Sequence, residues 1–183
     1  MVQRSAFGFD FNPAAHRIRV VSSTGQNLRL HPDARAAVDG NSAVDGMQPD
    51  PALRYAQSDI HANRAPDMAG AACTYNNADS QLTTNCAIDR ALGAWVMQGS
   101  REGITPVESP NAGQLRTAGP LGLGPLTEVS FDIADAGNTA LIAVRTPADS
   151  RTRLHLADLA TGAAKPLGQV GDGSPLVGIA IES

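Results

Sequence analysis

The chain has 183 residues, of which 42% are hydrophobic but only 4% aromatic, with Gly 18, Pro 12 and a charged fraction of 17%. That length suits one domain, and a composition this rich in turn residues and poor in charge points to β structure rather than to helices with solvated charged faces. The net charge of -4, with its arginines scattered, leaves no basic stripe for nucleic acid, and no apolar run nears the roughly 20 residues of a membrane helix.

Met1 to Ser5 lacks the apolar stretch of a signal peptide. The first patterned block follows at once. Phe7, Phe9 and Phe11 alternate with Gly8 and Asp10, Arg17-Ile-Arg-Val-Val21 and Asn27-Leu-Arg-Leu30 come next, and Asn12-Pro13 and Ser23-Thr24-Gly25 supply turn chemistry between them. Three short antiparallel strands are expected here. Arg17 and Arg19 project from one face, and Arg29 lies on the neighbouring strand. Three guanidinium groups in this pattern would grip a carboxylate or a sulfated glycan. The plainer alternative is a solvated sheet face whose arginines pair with aspartates.

Residues 34–69 break the pattern. They are rich in Ala, Asp, Asn, Gly and Pro, with few large apolar side chains. Apart from a short strand around Ala36 to Val38, the segment is expected to be a long polar surface loop draped over one end of the domain. Such a loop is where a rigid β scaffold presents its contacts.

The second block runs from Gly70-Ala-Ala-Cys-Thr-Tyr75 through Thr84-Asn-Cys-Ala-Ile88 and Ala94-Trp-Val-Met97, then past a loop holding Pro106 and Pro110 to Gln114–Leu121. Cys73 and Cys86 have the spacing of partners in a hairpin. A disulfide between them would contribute roughly 3 kcal/mol in the chain-entropy account. Two reduced thiols are the alternative, and no Cys-x-x-Cys spacing or paired histidine supports a metal there. Trp95 sits in a strand pattern and is expected in the core, with a sugar-stacking platform formed with Tyr55 and Tyr75 as the alternative.

The third block holds strands at Glu128–Ile133, Thr139–Val144, Arg153–Ala157 and Ala163–Val170, with turns at Ala136–Asn138 and Asp158–Gly162, and a lone last strand at Val177–Ile181. The blocks repeat one another: Gly8-Phe-Asp-Phe11 matches Ser130-Phe-Asp-Ile133, and Gly113–Gly122 matches Gly162–Gly171. The expected fold is therefore all-β: a single propeller-like array over residues 1–183, built of four-stranded antiparallel blades. The lone last strand would complete a blade begun at the other end of the chain. Asp10 and Asp132, each following a Phe, would line a central channel and bind a cation together, or would each accept hydrogen bonds from turn backbone in its own blade.

No nucleophile elbow, zincin helix, Walker loop or dinucleotide fingerprint occurs. The Gly-rich run at 119–124 holds Pro120, and Pro125 follows it, which removes N–H groups that a phosphate cradle needs. His16, His31, His61 and His155 are isolated in the sequence, so no catalytic residue, metal site or cofactor is assigned.

Phe7-Gly-Phe-Asp-Phe-Asn-Pro13, Arg17–Ser22, Gly25-Gln-Asn-Leu-Arg-Leu-His-Pro-Asp33, Val38-Asp-Gly40, Tyr75-Asn-Asn77, Gly119-Pro-Leu-Gly122, Leu159-Ala-Thr-Gly-Ala163 and Gly178-Ile-Ala-Ile181 resemble an uncharacterised bacterial propeller-like family, a domain of unknown function in predicted exported proteins. The resemblance covers nearly the whole chain. It implies a further unit before Phe7, so the array is expected to be incomplete at its N-terminus or to close by self-association through an open sheet edge. It also implies a periplasmic or extracellular location, with the cytoplasm as the alternative. The expected function is a non-enzymatic binding or scaffolding module of the cell envelope or exterior, its partner a protein or glycan. The alternative is a propeller enzyme acting on a small or saccharide substrate in the channel, with a metal helping.

Overall fold

The computed structural model describes residues 6–181, and among these the chain is all-β, with thirteen strands in three sheets and a single 3-10 turn at Pro110–Ala112. The first sheet is an antiparallel meander of β1 (Phe7–Asn12), β2 (Arg17–Ser22), β3 (Asn27–His31) and β4 (Ala36–Ala37). Its turns follow the local chemistry. The Asn12 side chain accepts the Ala15 N–H at 3.0 Å, and Gly25 takes the left-handed φ of 81° that closes the β2–β3 turn.

The second sheet has five strands in the order β5 (Arg54–Tyr55), β9 (Gln114–Pro120), β8 (Ala94–Gln98), β7 (Asn85–Asp89) and β6 (Met68–Cys73). β5 pairs in parallel with β9 and is the added fifth strand, where four were expected. The third sheet runs β10 (Glu128–Ile133), β11 (Ala140–Arg145), β12 (Arg153–Ala157) and β13 (Ala164–Gln169).

β6, β7 and β8 are buried along their whole length, because this part of the second sheet lies between the other two, while β9 and β5 at its far edge carry exposed residues. Burial on both faces removes the polar alternation of a half-exposed strand. One face packs Trp95, Ile88, Met97 and Cys86 against Phe131, Ile133, Ile142 and Val144 of the third sheet. The other packs Ala71, Ala87 and Val96 with Tyr55 and Leu115 against Val21 of the first. Small residues on β6 permit the close approach. A Cβ on Gly8 would land on the backbone of Gly70 and Ala71, and one on Gly70 would lie 3.0 Å from the Phe131 Cβ.

Three expectations are corrected. Residues 34–69 do not form a surface loop beyond the expected short strand, here β4: they also hold β5 and the start of β6, and Asp50, Leu53, Tyr55 and Ala56 are buried. Asp50 is drawn in by arginines of the first sheet, and Leu53 and Tyr55 by the core, while the stretches near 39–48 and 57–65 stay largely exposed.

Cys73 and Cys86 are both free and buried, with no disulfide between them. Cys73 lies opposite Asn85, and Cys86 opposite Ala72. The cysteines are thus one position out of register and face opposite sides of the sheet, where their sulfurs cannot meet.

Val177–Ile181 forms no strand pairing. It is held instead by the Ile181 N–H, which donates to Asp132 Oδ2 at 2.6 Å.

Candidate functional site

Arg19 and Arg29 stand directly opposite each other on β2 and β3. Two like charges in that position repel, and Asp50 resolves the conflict. Its carboxylate accepts from Arg19 Nη1 at 2.9 Å and takes a two-point fork from Arg29 Nε and Nη2 at 2.8 and 2.7 Å. The carboxylate is almost fully buried, with 2% of its side chain exposed. Burial pulls the Arg19 guanidinium down from its ordinary value while Asp50 pushes it back, and the fork to Asp50 raises Arg29.

A polar network extends from this centre into the second sheet. Asn27 Oδ1 accepts from Arg19 at 2.8 Å and from the Gln98 amide at 2.9 Å, and the Asn27 amide donates to the Pro51 carbonyl at 3.1 Å. Gln98 also donates to the Pro110 carbonyl at 2.8 Å, and Asn111 accepts a further bond from Arg19. Interlocked bonds of this kind fix side-chain directions inside a low-dielectric region. The Arg19 Nε remains buried without a partner.

This network is the floor of a cleft of about 350 Å³ between the first two sheets. Its walls carry Arg17 and Arg101 as well as Arg19 and Arg29, against only Glu102 and Glu108. Glu108 pairs with Arg116 at 2.8 Å, Glu102 keeps its charge while accepting from the Thr74 hydroxyl and the Asn76 amide, and Arg17 and Arg101 donate to the carbonyls of His16 and of Leu159 and Ala160. The cleft therefore presents surplus positive charge around a rigid, prebuilt base.

The structure brings Arg17, Arg19 and Arg29 together as the sequence placed them. Asp50, Asn27, Gln98, Asn111 and Arg101 were missed. A usable signal existed for one of them: Asp50 stands between Pro49 and Pro51, so its backbone is stiffened on both sides in a stretch otherwise read as loose.

Asp10 and Asp132 lie on a second, inner cavity of about 270 Å³, walled by β1, β6, β10 and residues 177–180. Asp10 Oδ2 accepts the Cys73 N–H at 2.6 Å and Oδ1 the Phe11 N–H at 2.7 Å. Burial pushes its carboxyl up to about 6, the two backbone bonds oppose that, and the charge of Asp132 adds to the rise. None of the four histidines lines this cavity.

Trp95 is fully buried with its ring edge-on to Phe131, 5.1 Å between centroids, and Tyr55 is buried with its hydroxyl donating to Asp89 at 2.7 Å. Neither ring is open to stack on a sugar. His16 and His31, isolated in sequence, meet on the surface with ring centroids 6.3 Å apart. Among the described residues no three His, Cys, Asp or Glu side chains are grouped to hold a metal ion.

The model of a family described as Domain of unknown function (DUF4394) matches residues 1–180. No curated protein and no solved structure matches the chain.

Proposed function

Because the chain belongs to the DUF4394 family, whose description carries no activity, we propose its function from the site: a non-enzymatic binding module that takes an anionic ligand in the cleft between its first two sheets. The observation that carries the proposal is the sharing of one buried carboxylate, Asp50, by two guanidinium groups, which leaves the cleft floor with unneutralised positive charge. Arg17 and Arg101 on the walls add to it. Guanidinium charge held in a partly desolvated cleft attracts carboxylates and sulfates, so an acidic glycan is the ligand class that fits.

We place the module in the cell envelope or exterior, where such glycans occur, and take its sheets as blades of a propeller-like array. The equivalent registers of β1–β2 and β10–β11 support the blade reading: Phe9 faces Val20 as Phe131 faces Ile142, and Asp10 faces Arg19 as Asp132 faces Leu141. Catalysis in the inner cavity has less behind it, since both of its aspartates are occupied by backbone N–H groups.

Calorimetric titration with oligogalacturonate, a heparin oligosaccharide and a neutral dextran oligosaccharide tests the proposal. At least one acidic glycan should bind, more weakly as salt rises, and Arg17→Ala combined with Arg101→Ala should weaken it by about tenfold or more. Failure of both acidic glycans to bind, equal binding of the dextran, or unchanged affinity in the double variant would overturn it.

A further inference from the structure

The cleft between the first two sheets holds acid as well as base, and its carboxylates differ. Asp50 is shared by Arg19 and Arg29, and Glu108 pairs with Arg116 at 2.8 Å. Glu102 lines the same cleft and forms no ion pair among the described residues. Its oxygens accept from neutral donors, the Thr74 hydroxyl at 3.3 Å and the Asn76 amide at 3.4 Å. Both bonds are longer than strong hydrogen bonds, so the carboxylate keeps acceptor capacity for a ligand.

The backbone that carries Glu102 is held on both sides. Its N–H donates to the Thr84 hydroxyl oxygen at 3.1 Å, and the neighbouring Arg101 donates to the carbonyls of Leu159 and Ala160 at 3.1 and 3.2 Å. Ser100 and Glu108 close the base of the segment: the Ser100 N–H donates to the Glu108 carbonyl at 2.9 Å, and the Glu108 N–H to Ser100 Oγ at 3.0 Å. A carboxylate without a counter-ion is thus fixed among arginines, and a ligand must meet both.

We infer that Glu102 selects among acidic glycans, favouring uronates with free hydroxyl groups over sulfated chains; the inference rests on the cleft being a glycan site. An ionised carboxylate accepts hydrogen bonds and does not donate them, so its partner on a sugar is an O–H. Such a bond, to a charged acceptor, is stronger than a neutral one. Sulfation replaces the O–H by an ester oxygen and an anionic group. Glu102 then loses its donor and gains a like charge beside it. A uronate offers what the cleft asks for, a carboxylate to the arginines and hydroxyls to Glu102. The arginines do not make this distinction, because guanidinium groups attract carboxylates and sulfates alike. Rejecting a competitor through a misplaced charge is an established route to specificity.

Calorimetric titration of oligogalacturonate and of its O-sulfated derivative, at equal chain length and fixed salt, tests the inference. General charge attraction favours the more highly charged chain, so the reverse order identifies a specific repulsion. The wild-type chain should bind the unsulfated ligand about tenfold or more tightly than the sulfated one. Glu102→Gln keeps an acceptor and removes the charge, so it should hold the unsulfated ligand, tighten the sulfated one and erase the preference. Glu102→Ala should also erase the preference, and should weaken the unsulfated ligand. Melting curves within a few degrees of wild type check that both variants fold. Equal binding of the two ligands by the wild type, tighter binding of the sulfated one, or a preference that survives both substitutions overturns the inference and leaves the glycan cleft standing. Binding of neither ligand overturns the glycan cleft and the inference together.

Discussion

Asp10 and Asp132 hold the same register position in two sheets, and each reaches across to a neighbouring segment. Asp10 takes the N–H of Cys73 at the end of β6, and Asp132 takes the N–H of Ile181, both at 2.6 Å. Val177–Ile181 therefore stands to the third sheet as the end of β6 stands to the first. A repeated aspartate thus serves as a clamp from its own sheet to the segment beside it, a structural use of a carboxylate at a position also expected to hold a cation.

The clamp has a pH signature. The folded pKa of Asp10 is raised by burial to about 6 from the ordinary 3.8. Between those values the folded chain holds a proton that the unfolded chain has released, so this group's contribution to stability falls as pH rises through the window and levels off above it. Asp10→Asn should remove that part of the decline, read from melting temperatures measured across the window and up to neutrality. A variant with the full wild-type slope would show that Asp10 is not the group titrating.

Asp50 should be the most sensitive polar residue in the chain. Asp50→Asn leaves Arg19, itself 4% exposed, as a buried charge without its counter-ion, and breaking a buried pair in this way costs about 3 kcal/mol or more. Urea denaturation should show a large drop in midpoint with an unchanged slope. A loss below about 0.5 kcal/mol, the size of an exposed pair, would mean that water reaches the site and the cleft floor is not rigid.

The cysteines should behave as inert core thiols. Burial raises Cys73 well above the usual thiol range and pushes Cys86 up to about 12, and a thiol held protonated is a poor nucleophile. Reductant should leave the melting temperature unchanged. Alkylation should add two labels in denaturant and none in the native state, counted by mass spectrometry. Two labels absent even in denaturant before reduction would establish a disulfide and refute the register argument.

The strands were largely legible in the sequence because period-2 alternation and turn residues are local properties. β10 and β12 have the bounds their patterns indicate, and β1, β2 and β3 each end one residue later than expected. β6 was harder to delimit, because a strand buried on both faces carries no polar alternation to mark it.

The amino-acid sequence by itself determined the all-β class, the repeat that places Asp10 with Asp132, and the grouping of Arg17, Arg19 and Arg29, since each depends on spacing along one or two strands. Only the tertiary structure decided that Asp50 neutralises two arginines, that the cysteines face apart, and that Phe9 is exposed while Phe131 is buried. Those outcomes depend on which sheet lies against which. A strand's pattern says that one of its faces is apolar, but what covers that face is settled by chain distant in sequence.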